Sequence, residues 1–216
     1  MKNKELIANL FAFYIGAEKL KTIIRHSYTS NTDRTESSAE HSWMLCLIAM
    51  TLFEHISLKV DQLKVLKMLI LHDLAEAITG DIPAFDTKAR VGKQEREKAA
   101  IDELFTPLPE NTRNEFLALI EEYEARETDE SKVAQAIDKF EAPLQHNIFG
   151  PEKWDQNDFD FHGGYKMQFH QFEPFIKDLR DELEEMSRKK ITEANLIHKL
   201  PKHIQEDYKK RSNDEN

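Results

Sequence analysis

Four residues carry side chains able to grip a metal ion while standing in stretches otherwise made for burial. They are His41 in "AEHSWM", the neighbours His72 and Asp73 in "LHDLAE", and Asp138 in "AQAIDKFEAP". An unpaired charge in such a stretch is costly, so each needs a partner: another side chain, solvent or a cation. Two imidazoles and two carboxylates form a borderline donor set suited to one first-row divalent ion such as Co, Mn, Fe, Ni or Zn. Mg is a further candidate, although it prefers oxygen alone. The plainer alternative for each histidine is a core residue with one satisfied hydrogen bond. Neighbours on an α-helix point about 100° apart, so His72 and Asp73 share an ion only if it lies over the ridge between them. Spacing along the chain does not say that three separated segments converge.

The elements that must hold these residues read almost throughout as helix. Leu6, Leu10, Phe13, Ala17 and Leu20 recur at spacings of three and four within residues 3–24, one face of a helix. "SSAEHSWMLCLIAMTLFEH" opens with Ser and Glu in a first-turn arrangement and then turns apolar nearly all round, as a helix buried by its neighbours does. "KVDQLKVLKMLILHDLAEAITG" repeats the pattern through Leu63, Leu66, Ile70 and Leu74, with Gly80 as its natural C-cap. Further helices are expected at about 88–105, 112–126 and 130–147, separated by "PLPENT" and "ETDES". Residues 148–163, rich in Gly, Pro and Asp, read as a loop; helices near 164–187 and 191–205 follow. The polar end, 206–216, is expected to fray. There is no internal repeat, no alternating strand pattern and no dividing linker. The expected architecture is all-α, one domain over 1–205 with a C-terminal helical extension.

Composition narrows the function classes. Six Gly and seven Pro in 216 residues favour long helices, and a net charge of −10 argues against a nucleic-acid polymer as partner. Cys46 is the only cysteine, so no intrachain disulfide forms. The start, "MKNKELIANLFAF", lacks a secretory pattern, and "WMLCLIAM" is too short to cross a bilayer. A cytoplasmic protein without a membrane anchor is the expectation.

The order His, then His-Asp 31 positions on (72 − 41), then Asp 65 further (138 − 73), resembles the HD-domain metal-dependent phosphohydrolases. "TESSAEHSW", "LHDLAEAITGDIP" and "AIDKFEAPLQ" closely resemble the branch holding the bacterial 5′-deoxynucleotidases and their eukaryotic HD-domain relatives, as does "IEEYEARET" before the last ligand. HD alone is a weak motif; HD followed by Glu76, Gly80 and Asp81 is a strong one. The resemblance covers about residues 18–147. It implies a single-domain HD-type helical bundle in which His41, His72, Asp73 and Asp138 hold one divalent ion. Two-metal HD centres need further histidines, and 74–137 contain none. The implied reaction removes the 5′-phosphate of a (deoxy)nucleoside monophosphate by attack of a metal-bound water. Glu76 would position or deprotonate that water, and Asp81 would contact substrate and protonate the leaving oxygen. Asp73 and Asp138 would border the substrate as well as the ion. Other readings are hydrolysis of a different small phosphate ester, or a non-catalytic helical regulatory domain stabilised by its metal. The family also suggests a homodimer.

Two ligand aspartates cancel a divalent ion, so Glu76 and Asp81 would leave the pocket negative and repel a phosphate unless cations are supplied, preferably Arg. The resemblance points to Arg25 as the phosphate-orienting residue and to Arg34, seven before His41; Lys21 and Lys88 are weaker candidates. Here the chain departs from its relatives. His26 stands where the bacterial enzymes have a tryptophan against the sugar, and the 25–34 segment is one residue longer, which puts deoxyribose selection in doubt. His26 is a candidate for phosphate or sugar contact. Phe85, in a loop stiffened by Pro83, is a candidate base-stacking residue or a core residue. Trp154, Phe159, Phe161 and His162 either cover the site, make a subunit contact or pack locally.

Overall fold

A computed structural model describes residues 3–30 and 32–214, without the side chains of 209–214. The described residues form an all-α fold with one two-stranded sheet. None of their helices is long and apolar enough to cross a membrane. The chain forms two compact units. One comprises the residues up to His26, Thr35–Glu54 and Leu58–Asp138; the other comprises Ser27–Arg34, His55–Ser57 and the chain from Lys139 on.

In the first unit, α1 (Asn3–Glu18) lies against α5 (Lys93–Phe105), α2 (Ser38–Leu52) against α3 (Gln62–Leu71), and α3 against α6 (Glu110–Ala125). Phe13 explains the first contact: its ring meets Phe105 edge-on at 6.0 Å and Phe116 at 6.4 Å. Leu45, Ala49, Val65 and Leu69 are fully buried where α2 and α3 form the core. Each such leucine contributes about 2 kcal/mol of burial. The expected first-turn signal is a full capping box: the Ser37 hydroxyl accepts from Glu40 N, and the Glu40 carboxylate accepts from Ser37 N at 2.8 Å.

Two expectations for this unit need correction. Strands β1 (Ile24–Tyr28) and β2 (Thr35–Ser37) pair directly before α2, where no strand was expected. The helix through the His-Asp pair is also interrupted. His72 N donates to Met68 O as an α-helix requires, but Leu74, Glu76 and Ala77 donate three residues back, to Leu71, Asp73 and Leu74. Regular α-structure resumes as α4 (Glu76–Thr79) and ends at Gly80, whose φ of 76° suits a residue without Cβ. The tightened turn has a consequence for chemistry. In three-residue turns side chains at i and i+3 eclipse, which stacks Glu76 over Asp73.

Helix α7 (Asp129–Phe149) carries Asp138 and continues into the second unit. There, residues 148–163 are not the loop that was expected. They hold a 3₁₀ turn, Pro151–Lys153, and α8 (Gln156–Phe161), which is capped by a box between Asp155 and Asp158. Trp154 and Phe159 join Ile191, Leu200, Ile204 and Tyr208 in this unit's core. Helix α9 (Pro174–Glu193) starts later and runs on past the expected 187; Asn195, at φ 58°, and Pro201 separate it from α10 (Lys202–Asp214). The segment expected to fray is therefore helical to Asp214, because Ile204 and Tyr208, four apart, are both buried. Residues 215 and 216 of the expected tail lie outside the described residues.

Candidate metal centre and active site

Three elements of the first unit deliver the candidate ligands: α2 gives His41, the turn after α3 gives His72 and Asp73, and α7 gives Asp138. Ligand atoms of His41, His72 and Asp73 all lie within 4.8 Å of one another. His41 Nε2 is 3.9 Å from Asp73 Oδ2 and 3.4 Å from Asp138 Oδ1; His72 Nε2 is 3.0 Å from Asp73 Oδ2. The imidazole rings are 5.7 Å apart. His41 is fully buried, and the Asp138 residue is 7% exposed.

The donor chemistry fits a cation. His72 Nδ1 faces the Leu69 carbonyl at 2.9 Å, and since a carbonyl only accepts, Nδ1 carries a proton, which leaves Nε2 as the nitrogen able to bind an ion. That buried nitrogen forms no hydrogen bond, because its approach to Asp73 lacks the required alignment. A buried ring nitrogen 3.0 Å from a carboxylate oxygen with no hydrogen bond formed is an arrangement that a divalent ion held by both would satisfy. Asp138 is oriented from behind: the buried Tyr123 hydroxyl donates to its Oδ2 at 2.7 Å. Gln135 Nε2 donates to the Tyr123 carbonyl at 2.6 Å.

The other expected site residues fall in two groups. Arg25, on β1, reaches Asp73 Oδ2 at 3.2 Å through Nη1 and Glu36 Oε1 at 3.4 Å through Nε. Burial works against its charge, but Asp73, Asp81, Glu76 and Glu36 outweigh burial and keep it ionised. Glu76 is buried, and the Ser38 hydroxyl donates to its Oε2 at 2.7 Å. Burial and the charges of Asp73 and Asp81 push its pKa up to about 8, against the opposing pull of Arg25 and the Ser38 hydrogen bond. For Asp73, burial raises the pKa, but His72, Arg25 and His41 prevail and hold it below the ordinary carboxylate range. Asp81, half-buried past Gly80, belongs to this group through its charge on Arg25 and Glu76.

Arg34 is exposed and belongs to the second unit, where its carbonyl accepts from Thr29 N at 2.9 Å. His26 meets the Phe85 ring edge-on at 5.0 Å, so each of these two candidates has an aromatic neighbour. Lys21 is exposed and pairs with Glu18 at 3.7 Å, and Lys88 is exposed. Of the later aromatics, Trp154 and Phe159 serve the second unit's core. His162 Nε2 lies 2.6 Å from the Tyr208 hydroxyl. Sequence reasoning missed Ser38, Glu36 and Tyr123. A signal existed for each: Ser38 and Glu36 sit in "TESSAEH", and Tyr123 is the one aromatic in "IEEYEARET".

Comparison with known proteins agrees with this geometry. A model of the HD domain matches residues 17–180. The mouse 5′-deoxynucleotidase HDDC2 is 30% identical over 139 residues, 64% of this chain and 68% of its own length. The Xenopus laevis HDDC2 is 34% identical over 138 residues, covering 63% and 67%. A solved structure of a predicted metal-dependent phosphohydrolase from Magnetospirillum magnetotacticum superposes with a TM-score of 0.73 at 30% identity, covering 93% of this chain and 98% of that one. From the clustered His and Asp ligands to the matched span, the chain belongs to the HD-domain family.

Proposed function

We propose that this chain is a metal-dependent phosphomonoesterase that removes the 5′-phosphate of (deoxy)nucleoside monophosphates. The observation that carries the reading is the convergence of His41, His72 and Asp73 ligand atoms, with Asp138 at 3.4 Å from His41 Nε2. The names of the HDDC2 relatives support a deoxynucleotide as substrate. His41, His72, Asp73 and Asp138 would hold one divalent ion of the first row, or Mg. When bound, such an ion supplies Lewis-acid stabilisation of the phosphoryl oxygens and makes water more acidic.

The chain's own residues supply the rest. Glu76, held by Ser38, takes the proton of the attacking water. Its raised pKa suits a proton acceptor working near neutral pH. Asp81 contacts the substrate and, in its protonated form, would donate that proton to the leaving 5′ oxygen. Arg25, kept ionised and held by Glu36, orients the phosphate and offsets the acidic surroundings. Asp73 and Asp138 border the substrate, and His26 with Phe85 contacts the sugar or base. Residues 1–205 act as one HD domain with a C-terminal extension, a span supported by the family match over 17–180. The protein works as a cytoplasmic homodimer, a setting consistent with its single cysteine.

The test is phosphate release from nucleoside mono-, di- and triphosphates and sugar phosphates, each as ribo and deoxyribo forms where they exist, with Co, Mn or Mg added. Turnover should favour 5′-monophosphates and vanish with chelator. Asp73→Ala should lose both metal and turnover. Glu76→Gln should keep its metal while kcat falls at least about 100-fold. A fully active Glu76→Gln protein would remove Glu76 from the reaction, and activity undiminished by chelator would remove the metal.

A further inference from the structure

Helix α1 has two apolar faces. One turns Leu6, Leu10, Phe13 and Ala17 inward; the other leaves Ile7, Phe11, Tyr14 and Ile15 exposed at 49, 59, 55 and 69%. Lys4, Ala8 and Glu18 share the outward face and are also exposed. At about 100° per residue, these seven positions span an arc of about 120° centred on Phe11.

The arrangement of this face suits pairing with its own copy. In two antiparallel copies of α1 crossing at Phe11, residue n of one lies level with residue 22 − n of the other. Phe11 then meets Phe11 at the centre, Ile7 lies beside Tyr14 of the other copy on one flank and Ala8 beside Ile15 on the other, and Lys4 is level with Glu18. A two-fold interface requires this self-complementarity, since one patch serves both partners. A face built for a different partner has no such requirement.

The area is also adequate. With side chains of about 200 Å² each, the four exposed apolar residues leave on the order of 450 Å² in water. That approaches the apolar share of a standard interface of about 800 Å² per partner. A patch of that order is as large as the largest a typical monomer carries, and such patches often serve a function.

We propose that the outward face of α1 is the dimer interface, occupied by α1 of a second copy running antiparallel about Phe11. The inference rests on the homodimer reading above and supplies its surface and geometry. Glu18, which pairs with Lys21 of its own chain at 3.7 Å, exchanges that exposed contact for Lys4 of the partner copy.

Sedimentation equilibrium of the full chain tests it. The wild type should be a dimer, and Phe11→Asp should weaken dimerisation by at least about 30-fold, the loss of one interface hot spot. Met50→Asp, on the outward side of α2 and itself 54% exposed, should leave dimerisation unchanged. Lys4→Glu and Glu18→Lys should each weaken the dimer, and the double variant should restore it; this charge swap decides the matter even if Phe11→Asp folds poorly. A monomeric wild type overturns both the homodimer and this interface. A dimer indifferent to Phe11→Asp and to both charge changes overturns the interface alone. Phosphate release from the same samples separates this from the catalytic reading: an inactive dimer sinks only the latter, an active monomer only the former.

Discussion

Asp73 Oδ2 is the most contested atom of the candidate site, within 4 Å of both imidazoles and of the Arg25 guanidinium. Its surroundings are held in turn by other residues: Glu36 pairs with Arg25, the Leu69 carbonyl meets His72, and the Tyr123 hydroxyl donates to Asp138. Removing such an orienting partner typically costs 10–100-fold in metal affinity. Tyr123→Phe keeps the ring and loses only the hydroxyl, so it should weaken Mn or Co binding within that range while the far-ultraviolet circular dichroism stays native. Unchanged affinity in a competitive chelator titration would show that Asp138 needs no such support. The candidate ligands were legible because a histidine or aspartate in an apolar helix is anomalous and because their motifs resemble those of the HD-domain enzymes. Ser38, Glu36 and Tyr123 stood inside the motifs "TESSAEH" and "IEEYEARET", but their roles were not legible there, because only the fold brings Glu36 to Arg25 and Ser38 to Glu76.

At the scale of elements, caps and tight turns do much of the positioning. Buried Glu173 caps α9: its carboxylate accepts from Ile176 N at 2.8 Å and from both Ser57 N and Ser57 Oγ at 3.0 Å. Burial raises its pKa, but the hydrogen bonds from Ser57, Ile176 and Phe175 prevail and lower it. A depressed carboxylate pKa stabilises the fold above the unfolded value of about 4.3, and that stability is lost as pH falls through the folded value. Glu173→Gln should therefore cost about 1–2 kcal/mol at neutral pH and less below about pH 4. Urea midpoints at both pH values check this; an equal loss at each would mean the charge is immaterial. The helices were legible from their apolar spacing and the cap of α2 from Ser37 and Glu40. The interruption at His72 was not, since "LHDLAEA" holds no Gly or Pro to announce it. The hairpin was hidden for another reason: β2 has only three residues, too few to show alternation.

For the molecule as a whole, the outward face of α1 escaped sequence reading because apolar residues on both sides of a helix look alike whether a core or a second chain covers them. The proposed two-fold pairing of Phe11 with its copy rests on exposure as well as sequence. The centre raises a different matter, that of order in time. His41 and Asp138 lie 3.4 Å apart in space yet are separated by 97 positions of chain (138 − 41). Helices form within about a microsecond, whereas contacts between distant segments wait for long loops to close. In refolding from denaturant, helical circular dichroism should thus recover well before the protein captures a chromophoric divalent ion such as Co. Simultaneous recovery of the two signals would mean that the ligands assemble while the chain is still collapsing. In that case, the ion would guide folding instead of arriving at a finished site.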